Sequence, residues 1–135
     1  MRHQRPRPRA LRLTGEAADG TFLDASLPAD GVRRARVLVE EGRAAAGRTG
    51  PHPVTGYLHV ATGPGAETRL RAEKAATGHT ADRLGVTGDA RTLADAVVEL
   101  AEAGATAVIL QPTSDEPDPE GFVRFPAEQV RPLVP

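Results

Sequence analysis

The 135-residue chain has no cysteine and no tryptophan, and its aromatic content of 3% comes from Phe22, Tyr57, Phe122 and Phe125 alone. Without cysteine there are no disulfides, no thiolate metal sites and no cysteine nucleophile. With so few rings, a core has to be assembled from Ala, Val and Leu. An excess of charge of either sign is also missing: the formal net charge is -1, so no global field draws the chain to nucleic acid or to an anionic membrane. No apolar run approaches the ~18 residues of a membrane span, and the first residues lack the apolar segment of a secretory signal. These absences predict a soluble, cytoplasmic protein with no membrane and no nucleic-acid partner.

What is present suits one globular domain, with 39% hydrophobic and 26% charged residues in a length that allows for a single unit. The charge is unevenly placed. Arg2, Arg5, Arg7, Arg9 and Arg12 crowd the start, whereas Asp115, Glu116, Asp118 and Glu120 cluster late. Residues 1–7 read as a basic, flexible tail, since charge runs at termini are usually solvated. No aromatic platform for stacking bases lies near these arginines. The acidic cluster lacks the central glycine and ligand spacing of a calcium loop, and Pro117 and Pro119 interrupt it, so it reads as a solvated loop.

Periodicity gives an alternating order. A helix opens at Pro8, which is tolerated in a first turn, with Leu11, Leu13, Ala17 and Ala18 as its apolar positions and Gly15 against it. Thr21-Phe22-Leu23 reads as a buried strand. A second helix follows from Pro28, with Val32, Ala35, Val39 and Ala46 inward, Arg33, Arg36, Glu40 and Arg43 on its polar face, and Gly47 as terminator. Residues 54–61 read as the longest strand, broken by Gly63-Pro64-Gly65, and 67–76 as a helix. The stretch 78–88 reads as a loop or a short helix. Asp89 is the expected N-cap of the strongest helix, with Leu93, Val97, Leu100 and Ala101 inward. The run 107–110 is continuously apolar, as in a strand buried on both faces of a parallel sheet, and Phe122, Phe125, Val130 and Leu133 mark a last helix that Pro126 kinks or restarts. About three strands alternating with helices predict an α/β fold with right-handed crossovers and a parallel sheet.

The segments from Pro8 to Gly20, from Glu41 to Arg48, from Gly88 to Ala105, Val108-Ile109-Leu110-Gln111-Pro112, and Glu128 to Leu133 resemble, in order and spacing, the luciferase-like monooxygenase family of flavin-dependent oxidoreductases. The resemblance implies a (β/α)8 TIM barrel, which needs ~250 residues, so residues 8–135 correspond to its carboxyl-terminal half with strands near Phe22, Tyr57 and Ile109. It implies a cofactor, FMN or a deazaflavin coenzyme of the F420 type, with its phosphate on backbone amides where the first helix opens. Pro8 matches the family's proline there, and Arg7 stands where glycine is usual. Arg7 or Arg9 can offer a charged fork to the phosphate. Gln111, at a strand's carboxyl end, can hydrogen-bond cofactor or substrate, or satisfy a loop backbone.

Catalytic residues are not assigned, because the family's flavin-ring contacts fall mostly on strands this chain does not supply. A small-molecule substrate is implied only where the barrel is completed, by a second copy in a homo-oligomer or by an amino-half chain. The alternative is a non-catalytic half-barrel acting as a structural or interaction module. His59 reads as packed within its strand, and His3, His52 and His79 have no metal-ligand spacing, so no metal is expected. Gly63-Pro64-Gly65 reads as a tight turn, and no nucleophile elbow or Ser-His-Asp pattern supports a hydrolase.

Overall fold

The computed structural model describes residues 7–25, 27–77 and 85–135. Most of the basic tail, Ser26 and His79 therefore lie outside the described residues. The order is α1 (Pro8–Ala17), β1 (Thr21–Phe22), α2 (Ala29–Ala45), β2 (Val54–Ala61), α3 (Ala66–Thr77), β3 (Gly85–Thr87), α4 (Ala90–Glu102), β4 (Ala107–Pro112) and α5 (Pro119–Phe125). A π-turn at Pro126–Val130 and a 3-10 turn at Arg131–Leu133 complete it. Pro126 thus widens the last helix and lets the chain continue, so that Phe122 and Val130 are both buried.

All strand pairings are parallel and all involve β2. Thr21 and Phe22 pair with Val54 and Thr55, residues 85–87 pair with 59–61, and 107–112 pair with 55–60. Thr55, His59 and Val60 each have partners on two sides, so β1 and β3 share one edge of β2 and β4 takes the other. The architecture is α/β, an arc of a (β/α)8 barrel. Four strands rather than three are present among the described residues. The extra one, β3, is only three residues of the 78–88 stretch and too short to leave a periodic signal.

Side-chain alternation sorts the sheet into two faces. Val54, Leu58 and Val60 point toward α2 and α4, where they join Val32, Val39, Leu93 and Leu100 in the core, and a Cβ on Gly56 would touch Leu100 and Ala105. Thr55, Tyr57, His59 and Ala61 point the other way, and the register puts Phe22, Ala107, Ile109 and Gln111 beside them. This second, inner face explains two departures from the sequence reading. Phe22 is 73% exposed and Ile109 40% exposed, because α2 and α4 cover the other side of these strands. Phe22 finds the Tyr57 ring at 6.3 Å.

α1 and α2 cross at glycine: a Cβ on Gly15 would fall on the Val39 carbonyl, and one on Gly42 on that of Arg12. Gly15, unfavourable to a helix in isolation, is what lets this helix dock. Arg43 departs from the polar face assigned to it. It is buried, donates to the Gly50 carbonyl and meets Glu40 at 3.4 Å, whereas Ala46 is exposed beyond the end of the stripe.

Candidate functional site at the carboxyl ends of the strands

Parallel β/α arrangements gather function at the carboxyl ends of their strands. Three connections meet there, after β2, β3 and β4. The first contains Gly63 and Gly65, whose positive φ of 77° and 78° is easily reached only by glycine. Its carbonyls are held by one side chain of α3: Arg69 donates to Thr62 O at 2.7 Å and to Pro64 O at 2.8 Å. The same guanidinium lies 3.9 Å from Glu116 in the β4–α5 connection, with side-chain exposures of 12% and 9%. Glu116 therefore belongs to a buried ion pair and departs from the solvated acidic loop of the sequence reading. A cleft of about 510 Å3 opens beside the pair, lined by Thr62, Pro64, Gly88, Asp89, Asp118 and Phe125 among others.

One turn further along α3, Glu73 accepts hydrogen bonds from the Ser114 amide at 2.6 Å and from the Ser114 hydroxyl at 2.8 Å. The amide bond is the main cause that holds the Glu73 carboxyl below its ordinary range. Burial opposes it, and the Ser114 hydroxyl and nearby His59 reinforce it. His59 is 5% exposed and Thr113 2% exposed. His59 Nδ1 and Thr113 Oγ1 are both buried with no hydrogen-bond partner among the described residues, an arrangement that buried polar atoms seldom tolerate. His59 lies on the inner face of β2, where it pairs in register with Gln111, and Thr113 directly follows the last residue of β4.

Helix α3 faces this group. A Cβ on Gly85 would collide with both His59 Cβ and Leu70 Cδ2, so Leu70 lies over the face that carries His59. α2 and α4 are on the opposite face. Sequence periodicity could not reveal this, since α3 has no clear apolar stripe to orient it.

The sequence-predicted residues are placed as follows. Arg7 is the N-cap of α1 and gives no side-chain cap, and Pro8 is the first helical residue. Arg9 lines a shallow hollow on α1 with Arg12, Leu13 and Glu16. Gln111 is exposed on the inner face. His59 is packed, as its strand position suggested. The residues missed were Arg69, Glu73, Ser114 and Glu116: charged or small polar groups far apart in sequence that only the fold assembles.

The opposite end of the sheet is built for cohesion. Thr21 Oγ1 and His52 Nε2 meet at 2.8 Å in a buried pair, and Arg36 donates to the His52 carbonyl at 3.0 Å. Burial, then the nearby Arg43 and Arg36 guanidiniums, push the His52 imidazole below its ordinary pKa. Among the described residues no three His, Asp or Glu side chains converge as a metal site, and no helix is long and apolar enough to cross a membrane.

No protein-family model and no curated protein matches this sequence. Solved structures do match its fold. The coenzyme F420-dependent tetrahydromethanopterin reductase of Methanopyrus kandleri superposes with a TM-score of 0.70 at 21% identity, over 95% of this chain and 49% of that one. An F420-dependent secondary alcohol dehydrogenase, solved with an F420–acetone adduct, gives 0.76 at 17% over 95% and 46%. The monooxygenase RslO1 from Streptomyces bottropensis gives 0.68 at 19% over 93% and 45%. The chain shares part of the fold of these three enzymes and spans about half the length of each.

Proposed function

We propose that this chain is the carboxyl-terminal arc of a luciferase-like oxidoreductase barrel that uses a deazaflavin coenzyme of the F420 type, with FMN as the alternative cofactor. The observation that carries the reading is the open inner face, which bears Gln111 and the Phe22–Tyr57 pair, in a fold shared with two enzymes described as F420-dependent. The residues suit such a group. The helix start at Pro8 has no side-chain cap, so its first amides are available to a phosphate, and Arg7 and Arg9 add charge of the right sign. The aromatic pair suits a planar ring, and the Gln111 carboxamide can both donate and accept at its polar edge. When bound, the coenzyme supplies hydride chemistry. The chain's own part is to bind, orient and exclude water.

A fluorescence titration with F420, run beside FMN, tests this on the chain alone and on the chain joined to the remainder of a barrel. The expected result is saturable F420 binding, weakened about tenfold or more when Arg7 and Arg9 are both replaced by Ala, as for the loss of charge-assisted bonds. Absence of binding by either form abandons the reading.

A second reading is favoured by the exposure of Phe22, Ile109 and Val123: a non-catalytic arc that serves as an interaction module, pairing with its own copies or with an amino-half chain. Turnover by the chain would remove it.

A further inference from the structure

The His59–Thr113 group is buried by what lies above it, and that cover is unlike the rest of the molecule. α2 and α4 are held by apolar side chains that are essentially inaccessible, such as Val32, Val39 and Leu93. In α3, Ala66 is the one fully buried residue among residues 66–76, and Leu70 is half-buried. Its polar attachments include two to the β4–α5 connection, Glu73 to Ser114 and Arg69 to Glu116. Beneath these contacts are two buried polar atoms, His59 Nδ1 and Thr113 Oγ1, with no hydrogen-bond partner among the described residues. An element held by few apolar contacts and a handful of polar ones opens at low free energy, and unpartnered polar atoms beneath it favour a state in which they meet water or a ligand.

We propose that α3 and the β4–α5 connection are two jaws that close over His59 and Thr113, held shut by the Glu73–Ser114 latch and the Arg69–Glu116 pair. Their opening admits a small polar molecule to the inner face beside Gln111. The device goes beyond the cofactor reading and does not depend on which cofactor, if any, the barrel holds. Arg69 also grips the Thr62 and Pro64 carbonyls, so the first turns of α3 act as the pivot, and the Glu73 turn is the part that lifts.

The test needs no ligand. The purified chain is treated with diethylpyrocarbonate, and modification of each histidine is followed by peptide mass spectrometry. His52, 3% exposed at the far end of the sheet, is the internal control for general loosening. In the unaltered chain both His59 and His52 should react slowly. In Glu73→Ala, His59 should react about tenfold faster or more, the scale of losing a charge-assisted hydrogen bond, while His52 stays protected. Ser114→Ala removes the hydroxyl half of the latch from the other jaw and should give a smaller change of the same kind. It also serves if Glu73→Ala does not fold. An unchanged His59 rate in the folded variants overturns the proposal, as does a rise in His52 reactivity parallel to that of His59.

Discussion

Single residues set two separate acid limits on this fold. The His52 imidazole binds protons less readily folded than unfolded, because it is buried and faces Arg43 and Arg36. The unfolded chain therefore takes up more protons below the ordinary value of 6.5, and stability rises with pH through that range. Urea midpoints measured from pH 8 downward should be flat above about 6.5 and fall below it. His52→Gln should flatten that portion of the curve, and an unchanged slope would count against the buried pair with Thr21. Glu73 acts in a lower window. Its folded carboxyl is held below the ordinary 4.5, so its contribution is complete above that value and is lost as pH falls through the folded one. The jaws should loosen in that lower window and not in the one set by His52, read as a loss of amide hydrogen-exchange protection in α3.

At the scale of elements, the α1–α2 crossing decides between two opposing effects. Ala in place of Gly15 or Gly42 gains about 1 kcal/mol of helix propensity. The new methyl group, however, would fall on a backbone carbonyl of the other helix, which cannot swing aside as a side-chain tip can. Overpacking of this kind typically costs about 1–3 kcal/mol, and contact with backbone belongs at the upper end. Either substitution should lower stability in denaturant titrations. A gain would mean that the helices do not approach as closely as described. The same crossing shows what sequence could and could not convey. Helices with a stripe and a punctuating residue were legible: α2 between Pro28 and Gly47, and α4 from its Asp89 cap, which accepts from Thr92 at 2.9 Å. β2 was legible to the residue. β3 was not, being three residues long, nor was the face taken by α3, since both depend on pairing partners distant in the chain. Of the expected site positions only Gln111 comes beside the candidate site, as the register partner of His59, while Arg7, Pro8 and Arg9 stand apart on α1. Arg69, Glu73, Ser114 and Glu116 carry no local signal of their role, because each finds its partner outside its own element.

For the molecule as a whole, the exposed large apolar side chains include Leu13 on α1 and Val37 on α2, which stand singly on the helical layer, and three others that edge open surfaces. Phe22 and Ile109 share the inner face, and Val123 edges a groove of about 500 Å3 between α4, β4 and the chain's last turns. The isolated chain should bind a hydrophobic dye and associate with rising concentration, as exposed apolar patches and uncharged strand edges do. Phe22→Ser combined with Ile109→Ser should lessen both without unfolding the helical layer, because neither side chain reaches the core of α2 and α4. Dye binding that is unaltered in the double variant would show that another surface is responsible. The wiring of the sheet adds a constraint of a different kind. Since, among the described residues, β1, β3 and β4 each pair with β2 and not with one another, a one-residue slip of that strand would turn Val54, Leu58 and Val60 outward and uncouple three neighbours together. The eight residues from Val54 to Ala61 are therefore the hub on which sequence drift is least forgiving, and the strands around them can vary only as far as that hub allows.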